Sequence, residues 1–211
     1  MKVISIEDLQ TLVHKIGHAE FSNLIVDALD SHFKRWQDFS LCPRHATHYP
    51  HGVIELMPCA DNRYYTFKYV NGHPNNPDQN KLCVAAVGLL ADAQSGYPLL
   101  ISEMTLLTAL RTAATGVLGA KYLARNNSQQ LAIIGCGAQS EFIAKAFLAA
   151  YPLTHIHYYD IDSAAMAKFA TNLADEQVNF VAGKNVASCI ASADIIVTAT
   201  AAKKRQELFC D

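Results

Sequence analysis

Residues 131–140, LAIIGCGAQS, and residues 157–160, HYYD, decide how this chain folds. The first stretch reads as a buried strand (131–134), a glycine turn and a helix start near Gln139. The second ends a further apolar run on the carboxylate of Asp160. Gly135 permits the tight turn after the strand, and Gly137 lets the main chain approach a pyrophosphate that a Cβ would hold off. The helix then offers its unpaired N–H groups and the positive end of its dipole to that anion. Ser140 stands where the fingerprint has its third glycine, a mild departure, because that position serves helix-to-strand packing and serine is small.

A loose glycine pattern by itself is often only a turn. Asp160, 23 residues beyond Gly137, lies where the fingerprint has the carboxylate that bonds the adenosine ribose. The residues that follow are Ile161, Asp162 and Ser163, with no nearby Arg or Lys, so a 2′-phosphate would be repelled and NAD is favoured over NADP. The competing account is a strand that ends in a solvated aspartate.

Composition fits a soluble cytoplasmic protein of one or two domains. The chain has 211 residues, 51% of them hydrophobic, enough for a real core. A net charge of −2 offers neither a nucleic-acid surface nor an attraction to membranes. No apolar run approaches the ~18 residues that span a bilayer, and MKVISIEDLQ lacks the apolar core of a signal peptide. Cys42, Cys59, Cys83, Cys136, Cys189 and Cys210 form no C-x-x-C pair and read as reduced thiols. His45, His48 and His51 recur every third residue, but Pro43, Pro50 and Gly52 bracket them. In an extended segment that spacing alternates faces, so no metal site is expected.

The polar stretch 124–130, ARNNSQQ, separates two patterns. Before it, Ser5 caps a short helix, and 20–39 carries helically spaced apolar residues. Extended runs follow at 43–48, 53–58, 64–70, 82–92 and 99–102. After it, strand-like segments at 131–134, 155–160, 178–181 and 194–199 alternate with helical ones, as in a parallel doubly wound sheet. The fold class is therefore α/β, with an N-terminal α+β domain (1–123) followed by an incomplete Rossmann domain (124–211).

A few charges interrupt apolar surroundings in the first part: Arg44 in PRHATHY, Glu55 in GVIELMP and Lys68 in YYTFKYV. Each taken singly reads as a water-facing edge residue. Arg111 is more telling, as the sole charge between Glu103 and Lys121, with Thr108, Thr112 and Thr115 around it and Leu106, Leu107, Leu110, Val117 and Leu118 forming an apolar stripe. An arginine fork suits a carboxylate or a phosphate through two parallel charge-assisted bonds. The competing account is an exposed arginine on a polar helix face.

SEMTLLTALRTAAT (102–115), AIIGCGAQSEF (132–142), FKYVNGHPNN (67–76) and LLADAQSGYPLL (89–100) together resemble the ornithine cyclodeaminase/mu-crystallin family, most closely its ornithine cyclodeaminase branch. The resemblance covers essentially the whole chain. It implies a substrate and dimerisation domain joined to a Rossmann domain that holds a recycled NAD, and conversion of L-ornithine to L-proline and ammonia. Carried over by motif, Arg44, Lys68 and Arg111 bind the substrate carboxylate, and Glu55 sits near the amino-group chemistry. Glu55 and Lys68 are the catalytic candidates. The cofactor is met by Arg111, Thr112, Gly135, Gly137, Ala138, Gln139, Asp160, Thr200 and Ala201. Cys83 occupies a position where the branch usually has a threonine that touches NAD.

The family's main acid/base, an aspartate in a GGD-like segment, has no counterpart in these 211 residues. The expectation is thus a C-terminally truncated chain of low or no activity by itself, likewise a homodimer through the N-terminal domain. Two alternatives stand beside it: a ketimine reductase or amino-acid dehydrogenase of the same superfamily, and a non-catalytic NAD-binding or dimerising module.

Overall fold

The structure is a computed structural model that describes residues 1–200. By packing, these fall into two compact units: 1–17 with 30–109, and 18–29 with 110–200.

The first unit is built on a seven-stranded sheet in the order β1-β7-β6-β5-β4-β2, with β3 pairing the other part of the β4 edge. The strands are β1 (Lys2–Ile4), β2 (Ser40–Leu41), β3 (His45–Tyr49), β4 (Gly52–Ala60), β5 (Tyr64–Gly72), β6 (Ala86–Asp92) and β7 (Pro98–Glu103). All neighbours run antiparallel except β1, which lies parallel to β7. The expected strand over 82–92 starts only at Ala86, because residues 81–85 form the loop in which Cys83 sits. Helix α1 (Ile6–Ile16) is opened by a capping box. Ser5 Oγ accepts from the Asp8 N–H at 3.2 Å while the Ser5 N–H donates to Asp8 Oδ2 at 2.9 Å.

Two longer helices belong to both stretches of chain. Helix α2 (His18–Lys34) stops short of the expected Phe39, and a 3-10 turn over Trp36–Asp38 takes its place. Helix α3 (Thr105–Leu123) buries Leu110, Ala113, Ala114, Val117, Leu118 and Ala120, whereas Leu106 and Leu107 of the expected stripe are only partly covered. The small alanines, unremarkable in an apolar count, bring the helix backbone close to its neighbours.

The second unit holds a four-stranded parallel sheet in the order β10-β9-β8-β11, made of β8 (Gln130–Ile134), β9 (His155–Tyr159), β10 (Asn179–Ala182) and β11 (Ile195–Thr198). Helices α4 (Ala138–Ala150), α5 (Ser163–Asn172) and α6 (Val186–Ile190) alternate with the strands. This order matches four strands, 3-2-1-4, of the six in a doubly wound 3-2-1-4-5-6 sheet. Strand β8 is buried on both faces, as a central parallel strand must be. Leu131 and Ile133 pack among Phe147, Ile156, Phe169 and Leu173, while Ala132 and Ile134 meet Cys189 of α6. Each large side chain so buried stabilises the fold by about 1.5–3 kcal/mol. The outer edge of β11 has no strand partner among the described residues, and a groove of about 450 Å³ runs beside it, lined by Gly116, Gly119 and Leu123 of α3 and by Ile196. No helix among the described residues is long and apolar enough to cross a membrane.

Candidate active site

In the first unit, strand register decides which charges meet. Residues directly opposite in an antiparallel pair share a face, and every second residue along a strand returns to it. Met57 lies opposite Lys68, Lys68 opposite Gly88, and Glu55 opposite Ala46. Glu55, Lys68 and Gly88 therefore stand on one face. Arg44, two residues before Ala46, reaches the same face, and its Nη1 donates to Glu55 Oε1 at 2.9 Å. The guanidinium side is mostly exposed and the carboxylate mostly covered. An ion pair this open stabilises by at most about 1 kcal/mol, so a ligand can part it at little cost.

Lys68 donates to Thr108 Oγ1 at 3.4 Å, which carries its ammonium toward the first turn of α3. That turn is fixed by Glu103, whose carboxylate accepts from the Thr105 and Leu106 N–H groups, and by Thr105 Oγ1, which accepts from Ala86 N–H at 3.0 Å. Gly88 is required beneath it, since a Cβ there would come within 2.8 Å of Met104 Cγ. Neither the pairing of Thr108 with Lys68 nor the capping role of Glu103 is marked by a local sequence pattern. A threonine three residues before Arg111 was the available signal for the former. The histidine spacing behaves as an extended segment dictates. His45 and His48 lie on opposite faces of β3, and His51 falls in the turn that follows.

In the second unit, the ends of β8, β9 and β11 meet the N-terminus of α4. Gly135 adopts φ 101°, and a Cβ there would stand 2.7 Å from Ala199 O. Its N–H donates to Tyr159 O at 2.8 Å. Gly137 is different in kind: it is exposed, caps α4 with extended φ, and a Cβ would meet nothing within 4 Å. The space beside it is open to a ligand. Ala138 is exposed and Gln139 partly so at the first turn of α4, while Ser140 is fully buried with its hydroxyl donating to Gly137 O at 2.6 Å.

Asp160 ends β9 and binds the loop itself. Its Oδ2 accepts from Cys136 N–H at 2.6 Å and its Oδ1 from Asp162 N–H at 2.9 Å. Burial pushes the Cys136 thiol up to about 12, with Asp160 and Cys189 adding to the shift. The loop therefore carries no thiolate to oppose a phosphate at neutral pH. Thr200 follows β11 and is exposed, with its backbone nitrogen 3.0 Å from where a Gly135 Cβ would be. Ala201 lies outside the described residues. Arg111 is exposed on α3, off the buried stripe, and Thr112 beside it is partly covered. Cys83 is exposed, its thiol 3.9 Å from Pro74 O. Among the described residues no group of three or more metal-binding side chains converges.

These geometries have counterparts in known proteins. The model of the ornithine cyclodeaminase/mu-crystallin family matches residues 7–211. An ornithine cyclodeaminase of Agrobacterium tumefaciens (strain Ach5) is 47% identical over 208 residues, which are 99% of this chain and 58% of that protein. A solved lysine cyclodeaminase, described for its recognition of L-lysine, L-ornithine and L-2,4-diaminobutyric acid, matches with a TM-score of 0.86 at 28% identity, over 95% of this chain and 60% of its own. An archaeal alanine dehydrogenase dimer with bound NAD gives 0.82 at 29% identity, over 96% of this chain and 61% of its own. The likeness is one of sequence and of fold alike and runs through both units, so the chain belongs to the ornithine cyclodeaminase/mu-crystallin family.

Proposed function

We propose that this chain carries the amino-acid site and the first half of the NAD site of an ornithine cyclodeaminase, which converts L-ornithine to L-proline and ammonia with no net redox change. The observation that carries the proposal is the gathering of Arg44, Glu55 and Lys68 on one sheet face. Two cations with a carboxylate set between them match an amino acid better than a simple anion.

The residues of the glycine loop fit NAD, because the space beside Gly137 is open and Asp160 is already held at the strand end. Gly135, Gly137, Ala138 and Gln139 would hold the pyrophosphate, Asp160 the ribose, and Thr200 with Ala201 the nicotinamide half, joined by Arg111, Thr112 and Cys83. When bound, NAD supplies the oxidation of the Cα–N bond and the later reduction of the cyclic imine. Arg44, Lys68 and Arg111 grip the α-carboxylate and fix which face of Cα is presented. Glu55 accepts a proton from the substrate's amine, whose free pKa is lysine-like and which must be neutral to attack. Ring closure is favoured because both reacting groups belong to one molecule. The main acid/base aspartate that the family resemblance implies has no counterpart in residues 1–211, so turnover by these residues alone is expected to be low.

A homodimer is supported by the opposite face of the first sheet. Leu56, Tyr69 and Val87 form a row across β4, β5 and β6, all large, apolar and exposed. A cytoplasmic setting is supported by the free thiols of Cys42, Cys59, Cys83, Cys136 and Cys189. A second account, an amino-acid dehydrogenase, is favoured by the likeness to the NAD-bound alanine dehydrogenase.

Product analysis separates the two. Residues 1–211 joined to the remaining length of the Agrobacterium relative, given L-ornithine and a trace of NAD, should release ammonia and proline in equal amounts without accumulating NADH. Stoichiometric NADH would support the dehydrogenase instead.

A further inference from the structure

The registers of β2 and β3 against β4 do not agree. That of β2 sets Leu41 opposite Cys59, while that of β3, carried back from His45 opposite Leu56, sets Cys42 there. Three residues, 42–44, thus face only Met57 and Pro58 of β4, and Pro43, which has no N–H to give a ladder, lies among them. An extra residue of this kind makes a bulge, at which two neighbours on one strand face a single residue on the other. By the two registers, Leu41 and Cys42 share Cys59 as that single residue. The thiols also feel each other. Burial above all holds the Cys59 thiol up, Asp61 adds to this, Arg35 works against it, and Cys42 raises it further. Both thiols are free, Cys42 exposed and Cys59 partly covered, and β2 is a two-residue strand at the sheet edge. Opposed residues hold their Cβ atoms about 4.5–5.5 Å apart and a disulfide about 3.5–4.5 Å, so this short strand has to move by only about 1 Å.

We propose that Cys42 and Cys59 are a reversible redox pair, in which a soluble disulfide such as oxidised glutathione enters at exposed Cys42 and leaves a crosslink that staples β2 to β4. The Cys42 thiolate attacks one sulfur of oxidised glutathione, its S–S bond breaks, and one glutathione thiolate departs. Cys59 then gives up its proton and attacks the Cys42 sulfur of the mixed disulfide, which expels the second glutathione thiolate. The two protein thiols lose two electrons, one oxidised glutathione gains them, and the two protons end on two glutathione thiols. Cys42 is the point of entry because it is exposed, and Cys59 is the resolving thiol because it stands opposite. The staple pins the chain two residues before Arg44. Reversible bonds of this kind are the ones a reducing compartment tolerates.

The test exposes the 211-residue chain to oxidised glutathione at pH 8, blocks remaining thiols under denaturing conditions, and maps peptides from the single-chain band of a non-reducing gel. The Cys42–Cys59 peptide should exceed every other cysteine pairing by about tenfold or more, and dithiothreitol should abolish it. In urea the same treatment should spread the crosslinks over several pairings. Cys59→Ser should stop at a glutathione adduct on Cys42, and Cys42→Ser should leave Cys59 a thiol over the same time. The map of the unaltered chain stands even where a variant fails to fold. The proposal is overturned if that chain keeps glutathione on Cys42 while Cys59 stays a thiol, if neither reacts, if Cys42 joins another cysteine, or if urea leaves the pairings unchanged.

Discussion

The Cys136 backbone N–H donates to Asp160 Oδ2 at 2.6 Å, so the carboxylate at the end of β9 ties down the glycine loop at the end of β8. The same carboxylate also accepts from Asp162 N–H, which steadies the entry to α5. The carboxylate proposed to hold a ribose thus works here as a brace, and the loop is shaped by the chain's own bonds. Pre-shaping of this kind raises affinity by lowering the ordering cost of binding.

Asp160→Ala should weaken NAD by roughly ten- to a hundredfold, because both the charged contact and the brace are lost. It should narrow the preference for NAD over NADP as well. Fluorescence titration with both dinucleotides checks this, and an unchanged ratio would assign Asp160 to the brace alone.

Gly135→Ala should act on folding. Its φ of 101° and the 2.7 Å approach to Ala199 O leave no room for a methyl group. The backbone strain alone costs roughly 1–3 kcal/mol. Thermal melting should show a drop of several degrees.

Arg111→Ala should do the opposite. The side chain is exposed and lies off the buried stripe of α3, so stability should change by less than about 0.5 kcal/mol. Affinity for L-ornithine should fall by about tenfold or more. A large loss of melting temperature with unchanged affinity would make this a structural arginine.

Stability should decline on the acid side in two steps. His18 is held below its ordinary 6.5, chiefly by burial and then by Lys145. Its Nε2 is buried without a hydrogen-bond partner. A histidine depressed in the folded state contributes stability that is present above 6.5 and is lost as pH falls through the lower folded value. Asp194 is held below 3.8 by the Gln129 N–H, then by Arg125 and the Gln130 N–H, and its contribution disappears only as pH falls below that range. Asp194→Asn should therefore melt earlier than the parent at pH 7, and the gap should close toward pH 3. A gap independent of pH would remove ionisation from the explanation.

Much of the second unit is legible in its sequence because each element has a local cause. The apolar run of β8 is continuous, as a strand buried on both faces must be, β9 buries Ile156 and Tyr158 in alternation with half-covered His155 and His157, and the glycine loop has its own signature. The ends of elements were less legible. Nothing in residues 35–39 announces that α2 gives way to a 3-10 turn, and β1 pairs with a strand almost a hundred residues away, a partnership no local pattern reveals. The charged face was legible only as separate residues. Arg44, Glu55 and Lys68 each read as an edge residue singly, and only the pairing of β3, β4 and β5 brings them together. The Lys68–Thr108 bond is hidden for the same reason, since the two residues are 40 apart in sequence.

The most direct test of the whole account is calorimetric titration of NAD into the chain and into Gly137→Val. A Cβ at Gly137 meets nothing within 4 Å, and φ there is −73°, so the variant should melt like the parent. The account predicts one saturable NAD site per chain in the parent and its loss in Gly137→Val at unchanged melting temperature. No binding of NAD to the parent, or equal binding to both, would contradict it.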